Sequence, residues 1–193
     1  MQEDIEYIAQ SDMVEWDMLK GKSVLVTGAT GLIGSQIVLA LDRYNQLHEG
    51  QIQIYALARN EEKAARVLVG CSEYVRIVLG DIKMPIDITE EIDYIIHGAS
   101  MTSSKEFVDY PVETILTGMK GTDNVLRFAS SKKVKGMVYL SSLEVYGVTD
   151  PEKKSIKENE LNRWYREAVI PKEKEWRSAC VFLMGMNTEY LSK

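Results

Sequence analysis

The chain has 193 residues, 45% of them hydrophobic, enough to bury one good core and to organise a single domain. Its formal net charge of −6 argues against nucleic-acid binding, because a phosphate backbone requires a basic face. Two cysteines make no disulfide framework, two histidines leave little for a zinc site, and no stretch approaches the apolar length of a membrane span. The one short basic stretch, SSKKVKG, reads as a solvated helix end, and Cys71 as an ordinary free thiol. The acidic opening MQEDIEYIAQSDMVEW lacks the basic and apolar regions of a signal peptide, so a soluble cytoplasmic protein is expected.

Residues 1–22 predict a short helix and a tether, anchored by Trp16 and Leu19. Strand-like and helix-like runs then alternate over residues 23–150. SVLVTG (23–28) precedes a helical pattern carrying Ile33, Ile37, Val38 and Leu41. QIQIYALAR (51–59) leads into the charged segment NEEKAARVL, and VRIVLGDI (75–82) and IDYIIHGAS (92–100) follow. A long helix opens at Pro111 and places Val112, Ile115, Leu116, Met119, Leu126 and Ala129 on one stripe, which is expected to face the core. GMVYLSS (136–142) is the fifth strand. Continuous apolar strands separated by helices predict a doubly wound α/β fold with a parallel sheet, Rossmann-like. Residues 151–193 are highly charged as far as 178, and only ACVFLMGM resembles a further strand. This tail stands where the remaining sheet and a substrate lobe are expected, so the sheet is expected to be incomplete at its C-terminal side.

The segment VTGATGLIGSQIV sets Gly28, Gly31 and Gly34 between the first strand and the first long helix. One small residue serves the tight turn, one the approach of backbone to a pyrophosphate, and one the packing of helix on strand. The helix N-terminus then offers unpaired N–H groups to phosphate oxygens. Gly28, Thr30, Gly31, Leu32, Ile33 and Gly34 are the expected contacts of a bound NAD or NADP. The second strand ends in Ala58-Arg59-Asn60 with no carboxylate for a ribose. Arg59 could pair with the 2′-phosphate of NADP, stack on adenine, or simply be solvated; the choice leans slightly to NADP. Asp81 and Ile82 follow the third strand, placed to meet adenine, and Ala99 and Ser100 follow the fourth, placed to line the cofactor's other side.

The motifs TGATGLIG, GDI, IIHGAS, PVETILTGMKGTDNVL and VYLSSLEVYG stand in the order and spacing of the extended short-chain dehydrogenase/reductases. Over about residues 15–150 the chain resembles the NAD-dependent epimerase/dehydratase branch, with the closest look to nucleotide-sugar dehydratase-like and decarboxylase-like proteins. The resemblance implies a nucleotide-sugar substrate and a possible homodimer. It also implies that Ser142 hydrogen-bonds the sugar hydroxyl being oxidised and that Glu144 serves proton movement or substrate handling. Strand-end capping is the plainer alternative for both residues. Leu143 stands where the sugar dehydratases carry an acid, which weakens a dehydratase more than a decarboxylase. Tyr146 reads as a packing or substrate-lobe contact. Gly118 replaces a common helix asparagine that supports active-site geometry.

The family's general base is a tyrosine whose pKa is lowered by a lysine four residues later. This chain has no such pair in the expected place. The best positional match, IPKEK (170–174), aligns Ile170 with the tyrosine and Lys174 with the lysine. Tyr165 has Val169 at the lysine position, and Tyr190 lies too late. Three readings stay open: an incomplete or altered nucleotide-sugar epimerase, dehydratase or decarboxylase; an NADP-dependent reductase of a small carbonyl compound; and a dinucleotide-binding module without catalysis. Codons for Val169 to Lys172, read one base later, can encode Leu-Tyr-Pro-Lys, so a frame change near residue 161 would account for the missing tyrosine.

Overall fold

The computed structural model describes residues 2–101, 104–141 and 152–155. Ser142, Glu144, Tyr146, Ile170, Lys174 and nearly all of the tail lie outside the described residues. Two short helices, α1 (Gln2–Ala9) and α2 (Trp16–Leu19), precede β1 (Ser23–Thr27) and the long α3 (Leu32–His48). Then come β2 (Gln53–Ala58), α4 (Glu61–Val67), β3 (Val75–Leu79), β4 (Tyr94–His97), α5 (Ser104–Asp109), α6 (Pro111–Lys132) and β5 (Gly136–Tyr139). The five strands are all parallel, in the order β3-β2-β1-β4-β5, so the predicted Rossmann-like doubly wound fold is what forms.

Alternation along β1 sends Val24 and Val26 to one face and Leu25 to the other, and each face has its own core. The first face packs on Val38, Leu41 and Tyr44 of α3, the second on Val125, Phe128 and Ala129 of α6. The N-terminal ends of the strands are tied by Asp93. Its carboxylate accepts from the Ser23 N–H and hydroxyl at 2.9 and 3.1 Å and pairs with Lys135 Nζ at 2.6 Å. Burial would raise the Asp93 carboxyl, but Lys135 and Ser23 outweigh it and hold it below the usual carboxylate range.

Trp16 and Leu19 anchor the N-terminal segment as expected, Trp16 stacking on Tyr44 with ring centroids 4.1 Å apart. The segment is more structured than a tether, because α1 lies along α3 and Glu6 takes a two-pronged grip on Arg43 at 2.6 and 3.2 Å. Cys71 is a free thiol, pushed by burial and then by Asp42 to about 11, which makes it a poor nucleophile.

The stripe predicted for α6 requires correction. Val112, Leu116 and Met119 are 61%, 55% and 49% exposed, while the same helix buries Thr114, Thr117, Gly118, Gly121, Thr122 and Val125. Ala129 is buried as expected and Ile115 and Leu126 are half-buried, so the departure is confined to the N-terminal part of the stripe; at Gly121 the approach is close, since a Cβ there would sit 2.5 Å from Ile82 Cδ1. Ile33 lies in α3 as expected and lines the cleft where a cofactor contact is expected. It is 57% exposed at the start of α3, leaving Val38 and Leu41 to face the core.

Candidate functional site

Strand order reverses between β1 and β4, and a ligand cleft is expected outside the carboxyl ends of strands at such a switch point. A cleft of about 590 Å³ lies there. Gly28 turns the chain out of β1 with φ +73, a conformation that favours glycine, and a Cβ on it would meet the Ala99 nitrogen at 2.8 Å. The turn closes by a Gly31 N–H bond to the Gly28 carbonyl at 2.9 Å. A Cβ on Gly34 would lie 2.2 Å from that same carbonyl oxygen, so this glycine lets α3 sit directly on the loop. Gly31 is the N-cap of α3 and no side chain caps the helix, so the first-turn N–H groups have no side-chain acceptor there. An uncapped helix start at a cleft fits an anion such as a pyrophosphate.

All eleven residues expected to contact the cofactor line this one cleft. Gly28, Thr30, Gly31, Leu32, Ile33 and Gly34 form one side, and Ala99 and Ser100 another. Asp81 and Ile82 form the wall beyond β3. The Asp81 carboxylate accepts the Lys83 N–H at 2.9 Å, and Asn124 of α6 donates to the Ile82 carbonyl at 2.8 Å. Arg59 is exposed at the end of β2.

Sequence reading missed Lys63, which lines the cleft with Arg59. Asn60 caps α4 by accepting the Lys63 N–H at 2.7 Å, so the signal that could have found Lys63 is the N-cap asparagine, which sets it in the first turn of the helix that follows β2. Among the described residues neither cation forms an ion pair. Thr117, Met101, Leu140 and Ser141 complete the cleft on the side where Ser142 follows in the chain. A larger, more open hollow of about 890 Å³ lies between α1, α2 and the end of α3. It lacks a glycine loop, and the four-residue α2 that opens on it carries the carboxylates Glu15 and Asp17 at its start, so the smaller cleft has the better chemistry for an anionic ligand. Among the described residues no group of histidine, cysteine, aspartate or glutamate could hold a metal ion. No described helix is long and apolar enough to cross a membrane.

A family model described as "NAD dependent epimerase/dehydratase family" matches residues 24–169. The chain belongs to that family. A UDP-glucose 4-epimerase of Rickettsia bellii is 28% identical over 131 residues, covering 65% of this chain and 38% of the relative. The chain thus spans well under half the length of that curated relative. Among solved structures, a UDP-N-acetylglucosamine 4-epimerase from Methanobrevibacter ruminantium, in complex with UDP-N-acetylmuramic acid, superposes with TM-score 0.69 and 20% identity. That match covers 87% of this chain and 52% of the other. A UDP-glucose 4-epimerase from Bifidobacterium longum, in complex with NAD+ and UDP, gives 0.66 and 21%, covering 83% and 48%. At these identities the structural likeness establishes the fold.

Proposed function

We propose that residues 23–150 are the dinucleotide-binding domain of a nucleotide-sugar epimerase, dehydratase or decarboxylase, with NADP preferred to NAD. The observation that carries this reading is the convergence of the glycine loop, the uncapped start of α3 and the ends of β2, β3 and β4 on one cleft. The α3 N-terminus and Gly31 would hold the pyrophosphate, Asp81 and Ile82 the adenine side, and Ala99 and Ser100 the opposite wall. Arg59 and Lys63 together support the 2′-phosphate, since two cations without carboxylate partners suit a dianion better than a ribose hydroxyl. A bound nicotinamide supplies the hydride acceptor for oxidation at a sugar carbon. Ser142 would orient the sugar hydroxyl and Glu144 would handle its protons. Lys174 has no tyrosine to act on, because Ile170 fills that place. The curated relatives named as epimerases favour that member of the three chemistries.

The proposed test is calorimetric titration of the full chain with NADP and NAD. NADP is expected to bind about tenfold or more tightly, and Arg59→Ala to remove the difference, since a charge-assisted hydrogen bond is worth about 1.5–3 kcal/mol. A preference for NADP that survives Arg59→Ala would refute the role given to Arg59.

A second reading, a dinucleotide-binding module without turnover, is favoured by Ile170. Losing a general base costs about a hundredfold to ten-thousandfold in rate, so nucleotide sugars are expected to leave the bound cofactor unreduced. Robust reduction by any nucleotide sugar, abolished in Ser142→Ala, would overturn that reading.

A further inference from the structure

Thr27 ends β1 immediately before Gly28, and His97 ends β4 immediately before Gly98; the two are paired in register. Both are fully buried, at 0% exposure. A buried hydroxyl and a buried imidazole are costly unless their polar atoms are hydrogen-bonded. Thr27 Oγ1 lies 2.6 Å from His97 Nδ1, and His97 Nε2 lies 3.3 Å from Thr122 Oγ1 on α6. The Ala99 N–H donates to Thr27 Oγ1 at 3.2 Å.

The direction of each proton follows from a general helix rule. A threonine hydroxyl within a helix commonly donates back to a carbonyl one turn earlier, as Thr114 does to the Tyr110 carbonyl at 2.9 Å, and by that rule Thr122 Oγ1 is the acceptor and His97 Nε2 the donor. A neutral imidazole has one donor and one acceptor, so Nδ1 is bare and takes the Thr27 proton. The lone pairs of Thr27 Oγ1 then face the Ala99 N–H. The chain of bonds runs from α6 through the sheet to the wall of the cleft, since Gly98, Ala99 and Ser100 all line it. That wall has little room to shift, because the missing Cβ of Gly28 would already meet Ala99 N at 2.8 Å.

We infer that His97 is a positioning residue for the dinucleotide: as the Nε2–H tautomer it orients the Thr27 hydroxyl, which holds the Ala99 N–H and sets the Gly98–Ser100 wall against the glycine loop. The inference rests on the dinucleotide reading of the cleft. Asn124, bonded to the Ile82 carbonyl from the same helix, makes α6 the common brace of both cleft walls.

Because the chain has two histidines and His48 is exposed, nitrogen NMR of the full chain labelled with 15N-histidine reads the His97 tautomer without ambiguity. Nε2 is expected to be protonated and Nδ1 bare. Calorimetry with NADP and NAD on the same chain is expected to show affinity falling about tenfold in Thr27→Val and restored to within about threefold in Thr27→Ser, as for one lost hydrogen-bonded hydroxyl. A merely structural role would lower the melting temperature of Thr27→Val and leave the affinity of the folded protein unchanged, and that result overturns the inference. So does a protonated Nδ1. Should Thr27→Val not fold, Thr122→Val removes the far acceptor, and unchanged affinity there is equally fatal. Failure of the wild type to bind either dinucleotide would instead remove the cleft reading, whereas the tautomer spectrum needs no ligand.

Discussion

Gly34→Ala perturbs the glycine loop where it has least room. The added methyl would lie 2.2 Å from the Gly28 oxygen, 2.8 Å from the Gly28 carbonyl carbon and 3.2 Å from Ala29 Cα. All three are backbone atoms, and the turn is held by the Gly31 N–H on the Gly28 carbonyl, so no flexible side chain can give way. Overpacking costs about 1–3 kcal/mol, and a contact this short against backbone belongs at about 3 kcal/mol. Alanine's better helix propensity offsets up to about 1 kcal/mol, leaving a net loss of about 2 kcal/mol. For a chain of this size that lowers the melting midpoint by about 4–8 °C. Gly31→Val makes the contrast. Its φ of −80 and ψ of 172 suit any residue, and a Cβ would meet only the Gly28 oxygen, at 3.2 Å. Gly31 is exposed and lines the cleft, so valine adds bulk where a pyrophosphate would approach. Circular-dichroism melts are expected to place Gly31→Val within about 2 °C of wild type, the range of a neutral surface change. Calorimetry is expected to show its dinucleotide binding lost. Wild-type affinity in Gly31→Val, or an unchanged midpoint in Gly34→Ala, would refute this account of the loop.

Asn45 grips both polar groups of the Ile52 backbone, donating to its carbonyl at 2.9 Å and accepting its N–H at 2.8 Å, all buried. Asn45→Ala is therefore expected to cost about 2–4 kcal/mol in urea unfolding, and a loss under about 1 kcal/mol would contradict the clamp. Asp93 has a carboxyl held below its unfolded value, so its contribution is present above the usual carboxylate range and is lost as pH falls through the folded value. The urea midpoints of wild type and Asp93→Asn should differ at pH 7 and converge below about pH 4; a constant gap would show that the charge is not the cause. If the homodimer that the resemblance implies forms through the exposed Val112, Leu116 and Met119 of α6, Leu116→Glu should shift sedimentation towards monomer without lowering the melting point. A monomeric wild type removes that proposal.

The strands were legible because a parallel sheet covered on both faces demands uninterrupted apolar runs, and the core of each of β1, β2 and β4 falls inside such a run. Helix α6 was misread for an equally physical reason. Periodicity assumes that the buried face is the most apolar one, yet α6 lies so close to Ile82 and the sheet that glycine and threonine outcompete larger side chains there. Val112, Leu116 and Met119 of its apolar stripe are left facing outward while Ala129 is buried, a division that a sequence cannot reveal without knowing how closely the helix approaches the sheet. The N-terminal segment shows the converse. Its aromatic anchor was legible, but the Glu6–Arg43 pair joins residues 37 apart and has no local signature.

The site divides along the same line. Contacts made by backbone were readable, because Gly28 and Gly34 are required by sterics that any side chain would violate. Contacts made by side chains from different elements were less so. Lys63 needed the start of α4 at the Asn60 cap to be known before its place at the cleft acquired meaning, and His97 reads as a strand residue until register pairs it with Thr27. The catalytic half differs again, since Ser142 and Glu144 carry roles only through resemblance and Ile170 contradicts the base that resemblance requires. On the proposed dinucleotide reading, a cleft braced by α6, Thr27 and Asn124 needs no general base in order to bind, because the bonds that brace it are made before residue 141. Binding and turnover are then separable, and a dinucleotide complex that no nucleotide sugar reduces is the outcome the second proposed reading expects.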